Sequence, residues 1–197
     1  MARFSAVLDA CVLVPIAQAD TLLHLAEAGL YRPVWSGRIL DETVRALEAM
    51  HPDMRASGAA RHRAGVMDAA FDDARVEGWE QLVPGIDLPD PDDRHVVAAA
   101  IQGRADLIVT ANLKDFPREV VESFDIEVQS PDEFFMNQLD LDPARVMTAL
   151  AAQAGATRNP PLTVRDVLER LVPCGAPLFA EAARAQLWRV DVERPWD

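Results

Sequence analysis

Residues 88–116 read LPDPDDRHVVAAAIQGRADLIVTANLKDF. Prolines 89 and 91 bracket the opening, so Leu88 to Asp92 is a loop. Asp93 then opens a helix, because Val96, Val97, Ala100 and Ile101 recur at helical spacing and give it one apolar face. Asp106 to Thr110, DLIVT, is a short, strongly apolar run of strand length, and the loop TANLKDF follows it and carries Asp115. Helix then buried strand is the second half of a βαβ unit, which predicts a parallel sheet.

Working outward, the chain repeats this alternation. Arg3 to Leu8 is a mainly apolar run that ends at Asp9 and predicts a buried strand. Leu22, Leu23, Leu25, Ala26 and Leu30 follow helical spacing, with Pro15 suited to the start and Gly29 near the stop. Arg32 to Ser36 reads as a connector, and Ser36 as the cap of a helix whose apolar side is Ile39, Leu40, Val44 and Leu47. Asp53 to Glu77 predicts one long helix with Val66, Met67, Ala70 and Phe71 inward, and Leu82-Val83 a short strand. Val120 to Phe124 predicts a helix and Ile126 to Gln129 a further strand. Right-handed crossovers put helices on both faces of such a sheet. The fold class is therefore α/β, a three-layer αβα arrangement around a central parallel sheet.

Beyond Ser130 the pattern is helical only: 140–154, then 163–172 opened by Pro160-Pro161 and Thr163-x-x-Asp166, then 176–188. This divides the chain into a core, 1–131, and a C-terminal all-helical extension, 132–197.

The charge balance, 19 basic against 32 acidic residues, gives a formal net charge of −13. Such a surface repels nucleic acid on average. An enzyme acting on nucleic acid with this balance must gather its Arg on one face or bring metal ions to its carboxylates. Lys114 is the one Lys. Cys11 and Cys174 follow no C-x-x-C pattern, so the expectation is two buried thiols in a reducing cytoplasm, with neither a disulfide framework nor a zinc site. The N-terminal segment from Arg3 to Ala19 loosely mimics a signal peptide, but Asp9 interrupts its apolar run. No other stretch approaches the ~18 apolar residues of a membrane span. The expectation is a soluble cytoplasmic protein with no membrane association. Neither GxGxxG nor a Walker A sequence is present, so nucleotide binding has no support.

Four acids stand where this fold builds sites. In an open parallel sheet, ligands bind outside the carboxyl ends of the strands. Asp9 and the Thr110 to Asp115 loop follow two strand ends, Asp93 reaches the same rim, and Glu42 lies inside the helix capped by Ser36. Each has a simpler reading. Asp9, Asp93 and Asp115 could cap or favour helix N-termini, Glu42 could be solvated beside Asp41, and His95 is of a type more often structural than ligating. Their joint occurrence weighs more than any one of them. Clustered carboxylates repel one another, and burying them unpaired would raise their pKa values. A divalent cation relieves this, and all-oxygen ligands favour Mg²⁺ or Mn²⁺. Hydrolysis of a phosphodiester fits that chemistry.

LDACVLVP, WSGRILDETVRAL, LPDPDDRHVVAAAI and IVTANLKDFP, in that order, resemble the PIN-domain family, and within it the VapC-like toxins of bacterial type II toxin–antitoxin pairs. PDEFF and NPPLTVRDVLERL extend the resemblance into the tail. The resemblance implies a Mg²⁺- or Mn²⁺-dependent endoribonuclease acting on RNA, commonly a homodimer inhibited by a cognate antitoxin. Carried over by motif, the acids are Asp9, Glu42 (with Asp41 the weaker choice), Asp93 and Asp115. Asn112 is an auxiliary, since some members place an acid at its position, and Thr110 hydrogen-bonds within the pocket. Arg38, Arg45, Arg94 and Lys114 lie near these acids in sequence and are candidates for phosphate contact. Two other readings compete. One is a catalytically inactive PIN-like module that binds RNA or protein. The other is a haloacid-dehalogenase-type phosphatase, which would want an Asp where Cys11 stands.

Overall fold

The computed structural model describes residues 4–190. Arg3, the expected start of the first strand, lies outside them. The described residues fall into two compact units, one of 4–14 with 31–130 and the other of 15–30 with 131–190. The second unit therefore takes in residues 15–30, which the sequence reading placed in the core.

The first unit holds five parallel strands: β1 (Ser5–Leu8), β2 (Arg32–Ser36), β3 (Arg75–Val76), β4 (Leu107–Val109) and β5 (Glu127–Gln129). Their order is β3-β2-β1-β4-β5. The registers pair Val7 with Val34 on one side and with Ile108 on the other. The helices of this unit are α1 (Ala10–Leu13), α3 (Gly37–Met50), α4 (Pro52–Ser57), α5 (Ala59–Ala70), α6 (Arg94–Gly103) and α7 (Arg118–Val121). From β1 the chain runs outward through β2 to β3, then returns through α6 to β4 and on to β5. Right-handed crossovers consequently place α3–α5 on one face and α6 and α7 on the other, which is the expected αβα sandwich. Ala6, Val7, Leu8, Val34, Trp35, Ile108 and Val109 form its buried centre.

Arg32 to Ser36 is a strand beside β1, contrary to its reading as a connector. Pro33 disguised it. The amide of Trp35 bonds toward β3, on Ala74 O at 3.0 Å, and Pro33 shares that parity. β3 is only two residues long and pairs with Trp35 and Ser36, so the missing N–H of Pro33 falls where no partner strand runs. The long helix expected over 53–77 is broken at Gly58, whose φ of +71° ends α4, and its last residues form β3. Ala60, Ala64 and Met67 face inward, whereas Val66 is exposed. Leu82-Val83 lies in a 3-10 turn, Glu80–Gly85, and is not a strand.

The second unit is made of helices α2 (Ile16–Glu27), α8 (Pro131–Leu141), α9 (Pro143–Ala156), α10 (Val164–Leu171) and α11 (Pro177–Arg184). Leu22 and Leu25 of α2, Phe134 and Phe135 of α8, Leu150 of α9, Leu168 of α10 and Phe179 of α11 are buried in it. Thr21 Oγ1 donates to Gln153 Oε1 at 2.8 Å, tying α2 to α9. The capping box expected at Thr163 and Asp166 is present on α10. Among the described residues, no helix is long and apolar enough to cross a membrane.

Candidate active site

The chain leaves β1 in one direction along the sheet and β4 in the other, so the sheet's topological switch point lies between these two neighbours. That is where open α/β sheets bind ligands. Asp9 ends β1 and Thr110 ends β4. The Asp9 amide donates to Val109 O at 3.1 Å, and the Thr110 hydroxyl donates to Asp9 Oδ2 at 2.7 Å across the switch point.

Asp9 precedes α1 but makes no side-chain cap bond, so it is not serving as an N-cap. Its carboxylate is 7% exposed, and Oδ2 also accepts from the Cys11 thiol at 3.0 Å. The Cys11 sulfur in turn accepts from the Ala111 amide at 3.3 Å. Burial first, then the charge of Asp9, pushes the Cys11 thiol up to about 12, so it remains a protonated donor. Thr110 Oγ1 accepts from the Asn112 amide at 3.0 Å, and the Asn112 side-chain amide donates to Asp115 Oδ2. One continuous hydrogen-bonded path thus runs from Asp9 through Thr110 and Asn112 to Asp115. Cys11, read from sequence as a buried structural thiol, is half-buried and free, and it belongs to this path; Cys174 is also half-buried and free.

Asp93 ends the turn Pro91–Asp93 and precedes α6, again without a side-chain cap bond. Burial raises its pKa, the charges of Asp9, Asp90 and Asp115 raise it further, and His95 pulls it partly back; the result is about 6. Asp9 and Asp115, delivered by two other segments, therefore lie near enough for their charges to bear on Asp93.

Glu42 lies beside this cluster with its charge already balanced. Ser36 accepts from the Ile39 amide at 3.2 Å and starts α3, on which Glu42 receives Arg38 Nε at 3.0 Å and Arg45 at 3.6 Å. His95 Nε2, on α6, stands 3.0 Å from Glu42 Oε2. Burial pulls the Glu42 carboxyl upward, but His95 and Arg38 outweigh it and hold the group below the ordinary range. His95 is 1% exposed, and its Nδ1 is buried without a hydrogen-bond partner. This histidine pairs with Glu42 and its charge also bears on Asp93, a role that its place one turn into an apolar helix did not reveal. Asp41 is exposed and its side chain stands outside these contacts.

Of the expected phosphate contacts, Arg38 is engaged by Glu42 and Asp92, Arg45 by Glu42 and Arg94 by Asp87. Lys114 makes no ion pair among the described residues.

The donor set suits a hard divalent cation in type and sign, being oxygen-only and net negative, with Asp93 under charge strain that a cation would relieve. No hydrogen bond occupies Asp9 Oδ1 among the described residues. Nor do any three Asp, Glu, His or Cys groups among them stand close enough together to hold a metal ion as they are.

A family model described as PIN domain matches residues 5–114, and a second, described as VapC50 C-terminal domain, matches residues 131–185. Among curated proteins, "Putative ribonuclease VapC50" of Mycobacterium tuberculosis (strain ATCC 25618 / H37Rv) is 39% identical over 92 residues, covering 47% of this chain and 54% of that protein. The chain spans about half the length of this curated relative. No solved structure matches it.

Proposed function

Because the chain belongs to the PIN domain family, we propose that it is a metal-dependent endoribonuclease, the toxin of a type II toxin–antitoxin pair. The observation that carries this reading is the charge that Asp9, Asp90 and Asp115 bring to bear on Asp93 beside the switch point of the sheet. The name of the VapC50 relative, a ribonuclease, supports the choice of RNA.

Asp9, Glu42, Asp93 and Asp115 would hold Mg²⁺ or Mn²⁺. Bound there, the ion supplies Lewis-acid polarisation of a phosphoryl oxygen and a bound water of lowered pKa. The chain's own residues set the stage. Thr110 and Cys11 fix Asp9 Oδ2, and Oδ1 would be the oxygen available to hold the ion. Asn112 orients Asp115 and serves as a neutral auxiliary. His95 and Arg38 hold the Glu42 carboxyl below the ordinary range and so favour its ionised form. These cations are balanced by carboxylates, so Arg38, Arg45 and Arg94 reach a phosphate only by exchanging partners.

The purified chain should cut single-stranded RNA with Mg²⁺ or Mn²⁺ and stop in EDTA; cleavage that survives EDTA would exclude a metal-dependent site. One observation favours the inactive binding module instead: no three ligating groups are already gathered among the described residues. RNA binding without cleavage at saturating Mn²⁺ would select it. The family also supports a homodimer and a small antitoxin partner in the cytoplasm. Light scattering should give twice the chain mass at micromolar concentration, and a monomer there would remove the dimer from the proposal.

A further inference from the structure

The basic side chains nearest the carboxylates differ in one respect. Arg38, Arg45 and Arg94 are ion-paired, whereas Lys114 and, four residues on, Arg118 make no ion pair among the described residues. Both line a hollow of about 240 Å³ with Leu113, Phe116, Pro117 and Val128. Phe116 and Val128 are buried and form its floor, whereas Leu113 is 42% exposed and presents an apolar wall. Lys114 shares the turn Leu113–Asp115 with one of the clustered acids, whose carboxylate is engaged by Asn112 and not by the lysine.

We infer that this hollow is a subsite for the RNA strand. It takes the nucleotide next to the cut, with the base against Leu113 and Pro117 and the phosphate on Lys114 and Arg118. The inference rests on the nuclease reading above. Three features select a nucleotide as occupant. The volume is below the ~300 Å³ at which pockets for drug-sized ligands begin, and suits one planar ring. Phosphate contacts position a strand while an apolar wall receives a base, and the hollow offers both. Finally, Lys114 shares a turn with Asp115, so an anion held by the lysine sits on the same turn as one of the acids.

The test uses the full chain and a single-stranded oligoribonucleotide with Mn²⁺. Lys114→Ser combined with Arg118→Ser should raise KM by about tenfold and leave kcat within about twofold. The slope of log kcat/KM against log salt should become shallower by about 1.4, near 0.7 for each phosphate of a single strand that the variant no longer neutralises. Leu113→Ser should raise KM without altering that slope, which separates the apolar wall from the charges. Arg55→Ser, removing an exposed cation on α4, should change neither. Wild-type KM and slope in the double variant would overturn the subsite while leaving the nuclease reading intact. An equal loss in Arg55→Ser would reduce the effect to bulk charge and overturn the subsite as well. A wild-type chain that neither binds nor cuts RNA overturns the nuclease reading, and the subsite with it.

Discussion

At Asp93, burial and the charges of Asp9, Asp90 and Asp115 favour the protonated acid, and His95 offsets them only in part. The folded value of about 6 stands above the ordinary 3.8. The stability this group contributes is therefore complete below the lower value and is lost as pH rises through the upper one. Each pKa unit is worth ~1.4 kcal/mol, but solvent screening of this partly exposed carboxyl reduces the total to about 1 kcal/mol. Without metal, Asp93→Asn should thus be about 1 kcal/mol more stable than wild type at pH 8, with the gap closing toward pH 4. Urea unfolding in EDTA measures this, and equal stability at pH 8 would mean that Asp93 bears no such strain. The places of the proposed acids in the fold were legible in the sequence, because strand ends and a proline-bracketed loop announce where Asp9, Asp93 and Asp115 sit. What surrounds them was not. That Thr110 donates to Asp9, and that His95 pairs with Glu42, depends on side chains approaching across separate segments, which no local pattern encodes.

Among the elements, β1, β4, β5 and the helices on either side of the DLIVT strand were readable from apolar runs and spacing. β2 was missed because Pro33 imitates a connector, and β3 because an Ala- and Arg-rich stretch runs into it without punctuation other than Gly58. Packing of α6 on the sheet was equally hidden. A Cβ at Gly103 would stand 2.9 Å from both Val34 Cγ1 and Val76 Cγ2, closer than carbon atoms tolerate. Replacing this glycine gains up to ~1 kcal/mol of helix propensity but costs about 1–3 kcal/mol of overpacking. Gly103→Ala should therefore destabilise the chain by about 1 kcal/mol. A urea midpoint at or above that of wild type would show that α6 does not press on β2 and β3 so closely.

Taken as a whole, the chain carries a net charge of −13 and yet is assigned an anionic substrate. These facts agree if metal ions reverse the sign of the field at one place on the surface, so that RNA is held where the carboxylates are loaded and repelled elsewhere. The charge balance of the sequence carries this tension, and the proposed site at the ends of β1 and β4 is where metal ions would resolve it. Cleavage of a single-stranded RNA by wild type and by Asp93→Asn, side by side in Mn²⁺ with circular dichroism confirming that both are folded, tests the account most directly. It predicts that wild type cuts, that EDTA abolishes the cutting, and that the folded variant loses nearly all of it. Wild-type rates from a folded Asp93→Asn chain would contradict it.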